Sequence, residues 1–191
     1  MTTAALARLD QAELMQLALN AASIGDSGAA ISYLKEAVSR PDAQAPAHYL
    51  LGAEYAQIKM YDRAIAEMEA AIALDPALSI ARFQLGLLWL TTGNAINASE
   101  VLLPLEELGS SNALAHFGRG LMHLMRDEFA DAVSCLNEGI SLNSANPALN
   151  SDMQKIIDEV QKISWEGKSA EEKTDHGPHI LISAYTRGEN N

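Results

Sequence analysis

Cysteine, aromatic residues and cations are all scarce in this 191-residue sequence, and each scarcity removes a class of answers. Cys135 is the single cysteine, so an intrachain disulfide is excluded and the usage fits a reducing compartment. Aromatics make up 5% of a chain that is 48% hydrophobic, which leaves Ala and Leu to carry the apolar content. That mix suits small, closely packed helices and suits a large β-sandwich poorly. Thirteen Lys and Arg stand against 25 Asp and Glu, a net charge of −12, with no Lys/Arg-rich run. Nucleic acid and anionic membrane surfaces are repelled by such a chain, so neither is an expected partner. No apolar run approaches the ~20 residues of a membrane span, so no membrane insertion is expected. The opening MTTAALARLDQAELMQLALNAAS lacks a basic stretch followed by a continuous apolar core, and it does not read as a secretory signal. The expected setting is the cytoplasm, although a mature chain stripped of its leader would read the same way.

Catalytic patterns are missing as well. There is no phosphate-binding loop, no Gly-x-Ser-x-Gly and no zinc pattern. His116 and His123 lie seven apart, on one face of a helix but two turns apart, and cannot both reach one metal. "HGPH" at 176–179 brings His176 and His179 close without a further ligand. Cys135 has no base partner in the sequence and reads as a small packing residue. Neither catalysis nor a cofactor or metal is expected.

What is present is a period. Gly52, Gly86 and Gly120 are spaced by 34 residues; so are Ala30, Ala64, Ala98 and Ala132, and so are Leu34, Met68, Leu102 and Leu136. A fixed period of this length marks an array of small units. Glycine inside a helical pattern costs ~1 kcal/mol against Ala, and its bare Cα lets a second helix approach closely; the recurring Ala does the same from the other side. Turn signals fall between, "IGDSG" at 24–28, "KMYD" at 59–62, "TTGN" at 91–94 and "RDEF" at 126–129. Each unit therefore reads as two antiparallel helices, and stacking buries what one pair cannot.

With these residues in register the chain resembles the tetratricopeptide repeat family. Residues 45–78 match best: Leu51, Gly52 and Tyr55 carry its Leu-Gly-x-x-Tyr, Ala64, Met68 and Ala71 its second-helix pattern, and Pro76 its closing proline. Residues 79–112 keep Leu85, Gly86, Trp89 and Ala98; residues 113–146 keep Gly120, Phe129, Ala132 and Leu136. In residues 11–44 Ala18 stands where Gly is expected, as suits a terminal repeat with one neighbour. The resemblance implies an all-α, right-handed α-solenoid of four helical hairpins (11–44, 45–78, 79–112, 113–146) plus a C-terminal capping helix at 147–163. An N-terminal segment, 1–10, precedes them. Asp10 with Glu13 resembles a capping box for the first helix, and Ser151 with Gln154 for the last. Met153, Ile156, Ile157, Val160 and Ile163 form one stripe of the capping helix. Pro104, inside "VLLPLEEL", should bend a second helix.

The family's arrangement also implies a function. Its first helices line a concave groove, which places Met15, Leu19, Tyr49, Ala53, Phe83, Leu87, Leu90, Leu114, Phe117, Leu121 and Leu124 there. Members that grip an acidic C-terminal peptide use Lys, Arg and Asn at several of these places. Here the residues are apolar, and the expected partner is a protein or peptide offering an amphipathic helix or apolar anchors. Packing between repeats is the alternative role for the same residues. The tail, 164–191, reads as a polar linker to His179 followed by the apolar Ile180, Leu181, Ile182 and Tyr185, which are expected to dock. The expected function is a non-catalytic adaptor or scaffold. The alternatives are a cytoplasmic chaperone, similar in size and acidity to those serving type III secretion translocators, and a subunit that forms a homo-oligomer through tail exchange.

Overall fold

A computed structural model describes residues 6–170, with side chains through residue 163. Among the described residues every regular element is helical: α1 (Gln11–Ser23), α2 (Ser27–Val38), α3 (Ala45–Gln57), α4 (Tyr61–Leu74), α5 (Ser79–Thr91), α6 (Ala95–Leu102), a 3-10 helix (Leu103–Leu108), α7 (Ala113–Leu124), α8 (Phe129–Leu142) and α9 (Pro147–Ala170). The chain is an all-α succession of helical hairpins. It forms two compact units that part between Leu88 and Trp89, within α5.

The hairpin turns repeat with the sequence. Gly25, Lys59, Gly93 and Asp127 all have positive φ, at 76°, 60°, 80° and 58°. They are 34 residues apart. After each, one backbone bond closes the turn: Asp26 N–H donates to Ala21 (2.9 Å), Met60 to Tyr55 (2.8 Å), Asn94 to Trp89 (2.8 Å) and Glu128 to His123 (3.0 Å). A left-handed residue followed by such a bond is the usual way to satisfy the last carbonyls of a helix. The residue closing the turn is also the N-cap of the next helix. Asp26 and Asn94 use their side chains for it, accepting from Ala29 N (2.9 Å) and Asn97 N (3.1 Å). Met60 and Glu128 do not.

In the first unit α1 packs on α2, α2 on α3, and α3 on α4. The Asp10 capping box forms, with Asp10 Oδ1 accepting from Glu13 N at 2.8 Å and Asp10 N–H donating to Glu13 Oε2 at 2.9 Å. Leu6, Leu14, Ala37 and Ala47 make one buried cluster, with Leu9, Met15, Tyr33 and Val38 packed against it. Arg40 holds the entering segment, donating to the carbonyls of Leu6 and Leu9 while paired with Glu36. Gly52 is the close approach of the second hairpin. A Cβ there would stand 3.1 Å from both the Ala64 carbonyl and Met68.

In the second unit α7 packs on α8, α8 on α9, and α6 and the 3-10 helix on α7. Gly120 repeats the geometry of Gly52, with a built Cβ 2.8 Å from Leu136 and 3.3 Å from the Ala132 carbonyl. Pro104 does more than bend a helix. It lacks the N–H that would bond to Glu100, so the α-helix stops at Leu102 and continues as a 3-10 helix. The tighter winding carries Leu105 into α7, where it is buried beside Gly118.

Two expectations for the C-terminal part are corrected. The last helix starts at Pro147, the first residue of the expected 147–163 helix, but its cap is Asn146 and not Ser151: Asn146 Oδ1 accepts from Leu149 N at 3.1 Å, and proline needs no partner for its missing N–H in the first turn. It also runs through Ala170, so a linker does not begin at Ser164. Within α9, Met153, Ile157 and Val160 are buried and Ile156 and Ile163 half-buried. The expected docking residues Ile180, Leu181, Ile182 and Tyr185 lie outside the described residues, as do His176 and His179.

Candidate functional site

The first helix of each hairpin carries the candidate binding residues, and burial sorts them into two groups. In the first unit Leu19 on α1 is exposed at 47%. Met15, one turn earlier, is half-buried and leans on the Leu6–Leu14–Ala37–Ala47 cluster. Tyr49 and Ala53, one turn apart on α3, are both half-buried, and Leu87 on α5 is too. Burial pushes the Tyr49 phenol above its ordinary value, because phenolate loses its hydration there. In the second unit Leu90, Leu114 and Leu124 keep partial access.

Phe83, Phe117 and Leu121 are the correction. They are 0–1% exposed and belong to the core, so they offer no surface to a partner. For Phe117 the reason is visible. Its ring sits where a side chain on Gly139 would be, within 2.4 Å of a built Cβ, so α8 supplies the hole that receives it. A helical period places Phe117 on the same stripe as Leu114 and Leu124, but only the facing glycine decides that it points inward. Gly139 was readable as a glycine inside a helix, the signal that could have found this contact.

Glu54 escapes a reading by sequence pattern. It follows Ala53 on α3, is buried, and its Oε2 has no hydrogen-bond partner among the described residues. An enclosed acceptor without a donor costs roughly 1–3 kcal/mol or more.

The three described histidines hold structure together. His48 Nδ1 donates to Glu67 Oε2 at 2.7 Å, joining α3 to α4. His116 Nε2 donates to the Ser110 carbonyl at 2.8 Å. His123 does not pair with His116, and its Nδ1 donates to Glu128 Oε2 at 2.6 Å across the α7–α8 turn. Atoms of His123, Glu128 and Asp131 gather within 4.8 Å of one another, and Arg126 Nη1 stands 3.7 Å from Glu128. The carboxylate is thus answered by protein groups, and the cluster is an ion-paired turn. Cys135 is half-buried; partial burial pushes its thiol up, Arg119 opposes this and Asp131 adds to it. A thiol held protonated is a poor nucleophile.

Residues 45–78 match the family model for the tetratricopeptide repeat. No curated protein matches the chain. Among solved structures it is similar to MamA, at 25% identity and a TM-score of 0.59 over 70% of this chain and 78% of that one. It is also similar to TTC0263, a thermophilic tetratricopeptide protein of Thermus thermophilus, at 17% identity and a TM-score of 0.65 over 93% of this chain and 97% of that one. YrrB, described as a tetratricopeptide protein with an unusual peptide-binding site, matches at 19% identity and a TM-score of 0.58, over 93% of this chain and 92% of that one. Among the described residues no helix is long and apolar enough to cross a membrane.

Proposed function

Since the chain is a tetratricopeptide repeat protein, we propose that it is a non-catalytic adaptor that holds an apolar peptide or one face of an amphipathic helix against the first helices of its hairpins. One observation carries this reading. Tyr49 and Ala53, one turn apart on α3, keep solvent access while their neighbours Leu51, Gly52 and Tyr55 are buried. Large or small, the residues left accessible on this stripe are apolar or amphipathic, which suits anchors of the same kind. The solved tetratricopeptide protein with a peptide-binding site supports the same use of the fold.

The test is selection of peptides from a random library against the full chain. Selected peptides should share large apolar anchors and bind the Ala53→Glu variant at least about 10-fold more weakly, with far-UV circular dichroism unchanged. Peptides without apolar anchors, or equal affinity for Ala53→Glu, would overturn the proposal. So would loss of helix in that variant, which would make Ala53 a core residue.

A further inference from the structure

The repeat supplies its own control for surface residues. Four positions spaced along the second helix of every hairpin are exposed in all four hairpins. In the first they hold Gly28, Ser32, Lys35 and Ser39; in the second, Asp62, Ala66, Glu69 and Ala73; in the fourth, Ala130, Ser134, Asn137 and Ser141. These are small or polar residues, as an outer face requires. The third hairpin departs from the pattern, with Ile96, Glu100, Leu103 and Glu107.

Ile96 is 74% exposed and Leu103 56% exposed. They are seven residues apart, two turns along one helical face, with Glu100 between them. Pro104 ends the α-helix at this point, and the 3-10 turn that follows presents Glu106 and Glu107 to solvent, with Leu108 at its end. No Lys or Arg occurs between Arg82 and Arg119. The face is therefore apolar and acidic together, without a cation of its own segment to neutralise it.

We propose that the outer face of α6 and the 3-10 turn is a docking surface for a cationic amphipathic segment of a partner protein. The chemistry follows from the two kinds of residue. Ile96 and Leu103 lose water on contact with apolar side chains, and Glu100, Glu106 and Glu107 meet Lys or Arg at the rim. A second copy of this chain would bring the same acidic face and a net charge of −12, and an anionic lipid surface would be repelled. The surface lies on the second helix of its hairpin, so it is separate from the first-helix residues above and does not depend on their role.

The probe is a synthetic Leu/Lys amphipathic helix, labelled for fluorescence anisotropy, with a Leu/Glu peptide of the same pattern as its counterpart. Full-length protein should bind the first and not the second, with affinity that falls as salt rises. The key variant is Ile96→Asp with Leu103→Glu, which installs the residues the second hairpin carries at the same places, Asp62 and Glu69. It makes the chain more acidic, so an unspecific attraction to a cationic peptide would strengthen. Docking on this face should weaken at least about 10-fold. Glu100→Ala with Glu107→Ala, after Ala66 and Ala73, should flatten the salt dependence while keeping helix content. Absent binding, or affinity unchanged or raised in the Ile96→Asp/Leu103→Glu variant, overturns the proposal. Loss of helix in that variant passes the decision to the Glu100→Ala/Glu107→Ala variant, where an unchanged salt slope overturns it. Binding that appears only after residues 171–191 are removed would assign the face to the chain's own tail and overturn it as well.

Discussion

Replacing Gly139 with alanine adds one methyl group, and its effect can be worked from the α7–α8 contact. An ideal Cβ on Gly139 would lie 2.4 Å from both Cδ1 and Cε1 of Phe117 and 3.2 Å from the Ala113 carbonyl. Carbon atoms pack best at about 3.5–4.0 Å, so ring and helix must separate by roughly 1 Å or more. Phe117 is fully buried, so the ring cannot relieve the contact by swinging into solvent. Overpacking of this kind costs ~1–3 kcal/mol, sometimes more. The helix-propensity gain of alanine over glycine returns at most ~1 kcal/mol. The net expectation is a loss of about 1–2 kcal/mol. Gly28 provides the opposite sign within the same molecule. It is exposed in the first turn of α2, and a Cβ there meets only Asp26 Oδ1 at an ordinary 3.6 Å. Gly28→Ala should therefore stabilise by about 0.5–1 kcal/mol. Urea denaturation of the two variants beside the parent reads both numbers. A Gly139→Ala protein as stable as the parent would show that the Phe117 ring has room to move, and the close approach of α7 and α8 would not be what excludes a side chain at 139.

Two further outcomes follow from the turns and from Tyr49. Asp127 holds the left-handed position that Gly25 and Gly93 occupy in their own turns; a non-glycine residue there costs up to about 1–2 kcal/mol, and the extra freedom of an unfolded glycine offsets part of it. Asp127→Gly should raise the stability of the protein by up to about 1 kcal/mol in the same urea assay, and a loss would mean that the Asp127 side chain makes a contact worth more than the strain. The raised Tyr49 phenol binds its proton more tightly in the folded chain than in the unfolded one. Its contribution is thus complete below about pH 10, the ordinary phenol value, and is lost as pH rises through the folded value. Stability should fall more steeply above pH 10 in the parent than in Tyr49→Phe; equal alkaline slopes would place Tyr49 in water.

The period of 34 residues was enough to establish the helical hairpins. It is a local property: glycine and alanine at fixed steps, apolar residues at helical spacing and turn residues between them act within one hairpin, and the structure repeats them at Gly52 and Gly120. The Asp10 capping box was legible for the same reason, since both partners lie three residues apart. The end of the chain was less so. Ser151 with Gln154 has the spacing of a capping box, and the structure instead caps the helix with Asn146, one residue before Pro147.

Burial was beyond the sequence wherever it depended on the facing helix. Leu114, Phe117, Leu121 and Leu124 are one stripe by spacing, yet two of them are core and two keep access to solvent. The hole at Gly139 draws Phe117 inward, and that contact joins residues 22 apart that only the packed hairpin brings together. The outer face of α6 was partly legible, since Ile96 and Leu103 fall at repeat positions that are exposed in all four hairpins. The path of the chain after Pro104 was not: the 3-10 turn carries Leu105 into α7, where it is buried beside Gly118. The sequence by itself determined which segments are helices and where they turn, because those forces act between near neighbours. Which apolar residues are core and which are surface was decided by the tertiary structure, because burial is a property of the partner face as much as of the residue.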